Sequence, residues 1–172
     1  MDSTVVFKPR SSPGWLSLAA IGLLLVIIGL SSGLPLLGTS QAISGLISMT
    51  LCLALGVIPL ALAAYFPSMR YEVDATYLTL IYGPVLRYEI PLVEIRGMRR
   101  RDLSLSLVSA FRMPGVALFS VPYSDVGPVK MCASAAVKGI LLVETDHGLY
   151  GLTPEDETGL VQAVRARMER LR

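Results

Sequence analysis

The sequence predicts a membrane-embedded helical hairpin followed by a mainly β domain of about seven antiparallel strands and a C-terminal helix. Three observations carry this reading. No Asp, Glu, Lys, Arg or His occurs between Ser11 and Met69, and every charge except those of Asp2, Lys8 and Arg10 lies at or after Arg70. Beyond Pro67 the pattern changes to the period of two expected of half-buried strands. The chain then ends in an amphipathic run that is acidic at its start and basic at its finish. Overall, 53% of the 172 residues are hydrophobic and 16% charged, against about 25% charged in an ordinary globular domain.

A spanning helix needs roughly 20 mostly apolar residues. Residues 15–37 supply one candidate and 42–66 a second, separated by the short polar break "GTSQ" at 38–41. Lys8 and Arg10 ahead of an apolar run also fit a signal peptide, but the run is long and a second span follows at once. Pro35 is expected to kink or end the first helix. Pro59 is tolerated in a membrane helix when neighbours satisfy the freed carbonyl. Gly29 and Gly33 form a GxxxG pattern, a candidate for close helix packing within the hairpin or between copies. Trp15 and Tyr65-Phe66 fit interfacial aromatics on one side of the bilayer. Positive charge flanks both spans, at Lys8 and Arg10 and again from Arg70 through Arg101, and is missing from the connecting turn. The positive-inside rule then puts both termini in the cytoplasm, in a multi-pass protein of the cell (inner) membrane. The expected organisation is an N-terminal cytoplasmic segment (1–14), two spans (15–66) and a cytoplasmic domain (67–172).

In that domain, strands are expected around 71–74, 77–82, 86–90, 93–100, 129–134, 140–145 and 149–152. Turns are expected at Asp74-Ala75-Thr76, Gly83-Pro84 and Asp146-His147-Gly148, and Pro91 ends a strand or marks an edge. The helix reads from Thr153 as N-cap, with Pro154 in its first position and Glu155, Asp156 and Glu157 in its first turn. Leu160, Val161, Val164, Met168 and Leu171 share its apolar face.

This plan, and the stretches "YEVDATYLTLIYGPVLRYEIPLVEIRGMRR" and "VGPVKMCAS…GILLVETDHGLYGLTPEDETGLVQAV", resemble a bacterial pleckstrin-homology (PH) family across residues 71–168. The shared features are a hairpin ending in Tyr-Gly, an Ile-Pro-Leu segment, a Glu-Thr hairpin and a Pro-Glu-Asp helix start. The sequence departs from the pattern in having Thr153 where serine is usual; both residues cap helices. The resemblance implies a PH-like barrel plugged by its C-terminal helix, behind one or two N-terminal spans. It implies no general activity. PH domains that bind phosphoinositides place basic residues around the first hairpin, whereas this one has only Asp74, Ala75 and Thr76 there.

No catalytic constellation emerges from the residues. His147 is the single histidine and sits in a turn, no serine has a nucleophile-elbow context, and Gly83 and Gly97 are isolated. Cys52 and Cys132 lack partners at metal-ligand spacing. No catalytic, cofactor or metal residues are therefore assigned. A net charge of +2 gives no reason to expect nucleic acid. Two candidate surfaces stand out. Arg99, Arg100 and Arg101 can meet anionic headgroups, or can be a solvated strand end. The stretch "LSLSLVSAFRMPGVALFSV" (103–121) has one charge, Arg112, and belongs either in the domain core or in an exposed partner surface built on Phe111, Arg112, Met113, Pro114 and Phe119. The expected function is a non-catalytic, membrane-anchored module that binds a protein or lipid partner. The alternative is an accessory subunit of a larger membrane complex that uses its hairpin as the interface. The expected partners are the lipid bilayer together with a membrane or cytosolic protein, or a second copy of the chain.

Overall fold

The computed structural model describes residues 4–104, 112, 113 and 115–171. The chain forms two compact units: Trp15–Tyr65, and the segments on either side of it, through Gly14 and from Phe66 onward.

The first unit is a pair of helices, α1 (Gly14–Gly33) and α2 (Ala42–Tyr65). Both are long and apolar enough to cross a membrane, and their apolar windows are only 22% and 11% buried. Core helices of a soluble protein would be mostly covered, so these surfaces call for an apolar surrounding. As the proline chemistry predicts, α1 stops short of Pro35. A 3-10 turn, Leu34–Leu36, holds the proline at its start, where the missing N–H costs nothing. Pro59 lies inside α2 and is buried. The helices approach through small residues: a Cβ on Gly33 would fall 2.6 Å from the Met49 Cβ and 2.9 Å from the Gly45 carbonyl oxygen.

The second unit, the head, has two sheets. The first runs β1 (Val5–Phe7), β2 (Arg70–Val73), β3 (Tyr77–Tyr82) and β4 (Leu86–Pro91), all antiparallel. Asp74 makes the first turn by accepting from the Thr76 and Tyr77 amides. Gly83, at φ +50, makes the second. The inward row Val73, Leu78 and Ile90 is at most 1% exposed. The outward row alternates charge, with Arg70 paired to Glu72 and Arg87 to Glu89.

The second sheet contains β5 (Ile95–Arg101), β6 (Arg112–Met113), β7 (Val116–Tyr123), β8 (Gly127–Ala133), β9 (Ile140–Thr145) and β10 (Gly148–Leu152), in the order β5-β9-β10-β8-β7-β6. One pair, β8 with β10, is parallel, and the rest are antiparallel. The PH-like plan of strands followed by a helix thus holds, built as two sheets that are not closed into a barrel. Ile140, Leu141, Leu142 and Val143 are all buried, so β9 is covered on both faces, and it reads as a continuous apolar run rather than an alternating one. One face packs around Leu103, Ala117, Val121, Val129, Met131 and Leu142. On the other face, the Tyr71 hydroxyl crosses from the first sheet to donate to the Cys132 carbonyl (2.9 Å) and accepts from the Thr153 amide (3.2 Å). Burial pushes the Tyr71 hydroxyl pKa well up, and it raises the Cys132 thiol to about 12.

The C-terminal helix α3 (Glu157–Arg170) buries Leu160 and Val164, and carries Arg167 and Arg170 in its last turn. Its cap differs from the sequence expectation. Asp156, not Thr153, is the N-cap and accepts from the Gly159 amide at 2.8 Å. Thr153 is fully buried, where its hydroxyl oxygen accepts from the Ser134 amide (2.8 Å) and bonds the Ser134 hydroxyl. The N-terminal segment holds residues 153–155 extended: the Arg10 amide donates to the Thr153 carbonyl and the Glu155 amide to that of Lys8. The helix therefore begins only after residue 156.

Candidate functional site

The structure places the three adjacent arginines on β5, an edge strand of the second sheet. Cationic side chains on an edge discourage pairing with other chains, which gives the row a structural role. Each arginine also has a carboxylate neighbour. Arg99 reaches Glu144 on β9 at 2.5 Å, Arg101 reaches Asp125 at 3.3 Å, and Arg100 lies 3.7 Å from Glu157. Arg96, earlier on the strand, pairs with Asp146, and this bond raises the Arg96 pKa. Successive β residues point to opposite faces, so Arg100 looks away from Arg99 and Arg101. The three share an edge but do not form one patch.

Of the apolar candidate surface, Phe111 and Pro114 lie outside the described residues. Arg112 and Met113 form β6, paired with Ala117 and Val116. Phe119 sits on β7 opposite Met131, half-buried, at φ +64. A positive φ is strained for a bulky side chain. Elsewhere in the stretch, Leu103, Val116, Ala117, Leu118 and Val121 are at most 3% exposed, so its described part mostly fills the core. Gly29 and Gly33 both face α2: a Cβ on Gly29 would meet that of Cys52 at 2.8 Å.

A different constellation assembles around Arg100, from segments far apart in sequence. The ideal Cβ position of Gly139, at φ +63, lies 2.9 Å from Arg100 Nη2 and 3.1 Å from Arg10 Nη1, so two guanidinium groups converge on one point. The loop is fixed there by the Gly139 amide, which donates to Asp102 at 2.7 Å. Arg10 is fixed by its own amide bond to Thr153. Lys138, next to Gly139 in the chain, is exposed. Arg100 also borders a groove of about 330 Å³ between α3 and the face of β5 and β9, lined among others by Met98, Leu141, Thr158, Gln162 and Arg165. Among the described residues, no carboxylate lies within ion-pair distance of Arg10, Lys138 or Arg165, and Arg100 has only the long contact to Glu157. Sequence reasoning found Arg100 but missed its companions. Arg10 and Arg165 share no motif with Arg100, and only the fold brings the first to it at Gly139 and the second to it across the groove.

Nothing in this arrangement supplies a nucleophile or a general base. Cys132 is buried with its thiol held neutral, and His147 is exposed in the β9–β10 turn with Glu94 at 3.6 Å. Among the described residues, no three His, Cys, Asp or Glu are grouped to hold a metal ion. The arrangement offers recognition of negative charge on a rigid β framework. Residues 69–168 match the family described as "Bacterial PH domain". The chain belongs to this family. No curated protein and no solved structure matches it. The matched PH domain covers β2 through most of α3. The match does not extend to β1 and the residues up to Arg10, which complete the first sheet and contribute one of the two converging guanidinium groups.

Proposed function

We propose that the protein is a non-catalytic binding module anchored in the cell membrane, with α1 and α2 crossing the bilayer as a hairpin and the PH domain presented at the cytoplasmic face to a protein or lipid partner. The observation that carries this reading is the pairing of Val5–Phe7 with β2 in register Val5↔Val73, Val6↔Glu72 and Phe7↔Tyr71. Residues before the first helix and residues after the second belong to one sheet, which supports placing both outer helix ends on one side of the membrane, as two crossings would. Lys8, Arg10 and Arg70 at those ends favour the cytoplasm.

The test is a pair of topology reporters, one at each terminus, combined with protease protection in right-side-out and inverted vesicles. Both reporters are expected to be cytoplasmic, and a reporter on the opposite side at either end refutes the reading. The alternative, an accessory subunit whose hairpin is the interface, draws support from a groove of about 430 Å³ along one face of α2, lined by Leu46, Ile47, Thr50, Leu51 and Ala54. Purification in mild detergent separates the two: a stoichiometric membrane partner favours the subunit, and a lone chain or homo-oligomer favours the module.

A further inference from the structure

We infer that Arg10 and Arg100, with Arg165 in the groove that Arg100 borders and Lys138 next to Gly139 in the chain, form a binding site for a phosphate group, and that the bound anion clamps the N-terminal strand to the head. Two guanidinium groups held against one loop repel each other unless a counter-charge lies between them. Their positions come from backbone bonds that have nothing to do with charge: the Arg10 amide to the Thr153 carbonyl, and the pairing of β5 with β9. The described carboxylates offset these cations only in part: Glu157 is 3.7 Å from Arg100, and Asp102, which accepts from the Gly139 amide at 2.7 Å, brings a single negative charge to the loop. By contrast Arg99 and Arg101 are met by Glu144 and Asp125, so the deficit of negative charge is local to Arg100. A tetrahedral anion of charge near −2 matches two guanidinium forks with further cations on its flank. Thr158 and Gln162 supply neutral donors along the adjoining groove. Because Arg10 belongs to the segment that carries β1, an occupied site ties that segment to β5, and an empty one leaves it on its backbone bonds alone.

The site lies wholly in the head, so its test is independent of membrane topology. The full chain in a zwitterionic detergent is titrated with inorganic phosphate and pyrophosphate at constant ionic strength, and followed by calorimetry and by hydrogen exchange at residues 4–10. Saturable binding that slows this exchange is expected. Arg10→Gln and Arg100→Gln should each weaken binding tenfold or more, and Arg165→Gln several-fold. Arg99→Gln, which changes the same formal charge one residue away, should leave binding unchanged. Circular dichroism and the thermal midpoint confirm that each variant is folded. In nanodiscs of phosphatidylcholine with or without phosphatidic acid, loss of the free-phosphate signal in the presence of phosphatidic acid identifies a lipid headgroup as the source, while an unchanged signal identifies a soluble phosphate compound. No saturable response to either source, or an Arg10→Gln variant that binds like the wild type, overturns the assignment.

Discussion

The helix pair and the head achieve close packing by opposite means. In the pair, side chains are left out: Gly22, Gly29, Gly33, Gly45 and Gly56 sit where a Cβ would fall 2.6–3.0 Å from an atom of the opposite helix or its flanking turn. In the head, large side chains are put in: Tyr71, Leu78, Leu80, Met131 and Leu142 are at 0% exposure. On the proposed membrane reading, the difference follows from the surroundings: lipid is as apolar as leucine, so burying a side chain between spanning helices gains little, and backbone proximity supplies the attraction. In water, each large apolar side chain removed from solvent contributes about 1.5–3 kcal/mol.

The comparison breaks most sharply in the head. Leu80→Ala leaves a void between the sheets and should cost about 2–5 kcal/mol, a large share of a typical domain's stability. Chemical denaturation of the full chain in detergent, followed by near-ultraviolet circular dichroism, should show the loss. A Leu46→Ala change on the outer face of α2 removes similar volume and should leave the head transition unmoved. Equal effects at the two positions would mean that α2 is packed like a core helix.

The same contrast governs what the sequence revealed. Missing charge is a compositional signal that needs no partner, so both helices and the stop at Pro35 were legible to within a few residues. The strands of residues 70–91 were legible because the first sheet carries a charged outward row on β2 and β4 that alternates with buried residues. The three-residue β1 was not, since "VVF" beside Lys8 carries no periodicity of its own. The cap of α3 was misplaced because Thr153 was claimed by Ser134, a partner nineteen positions away. The cations around Arg100 were the least legible. Arg10 and Arg165 come to Arg100, one at Gly139 and one across the groove, only after β1, β5 and α3 have assembled.

Volume added to the pair should act like volume removed from the head. Gly33→Leu drives a side chain into Met49 and the Gly45 carbonyl, and overpacking of this kind costs about 1–3 kcal/mol. A lower midpoint in sodium dodecyl sulfate unfolding is expected. Gly38→Leu, in the connecting turn with nothing within 4 Å, should match the wild type. If Gly33→Leu were neutral, the helices would not rest on these glycines.

Alkaline pH sharpens the contrast from the head's side. Cys132 ionises near 9 when exposed and about 12 when folded, because burial penalises the thiolate, and Tyr82 is raised from 10.0 to about 12, chiefly by burial. The unfolded chain thus releases these protons first. Their contribution to stability is constant below about pH 9 and is lost as pH rises toward 12, by about 2 kcal/mol from Cys132 alone at pH 10.5. Urea midpoints at pH 7 and 10.5 should separate less in Cys132→Ala than in the wild type. Equal separation would exclude the thiol as a contributor.

The smallest effect belongs to the surface ion pairs of β5. Arg99 and Glu144 sit 2.5 Å apart, but their side chains are 59% and 32% exposed, and such pairs contribute about 0–1 kcal/mol. Arg99→Gln should therefore shift the thermal midpoint by at most about 4 °C, and less still in high salt. Its consequence should appear in association instead. Removing a cation from an unpaired edge weakens the barrier to strand addition, so concentration-dependent light scattering should rise in Arg99→Gln and further in Arg99→Val, at unchanged circular dichroism. Scattering that stays flat across the series would mean that the edge is shielded by something other than its arginines, and the row would then need a different explanation.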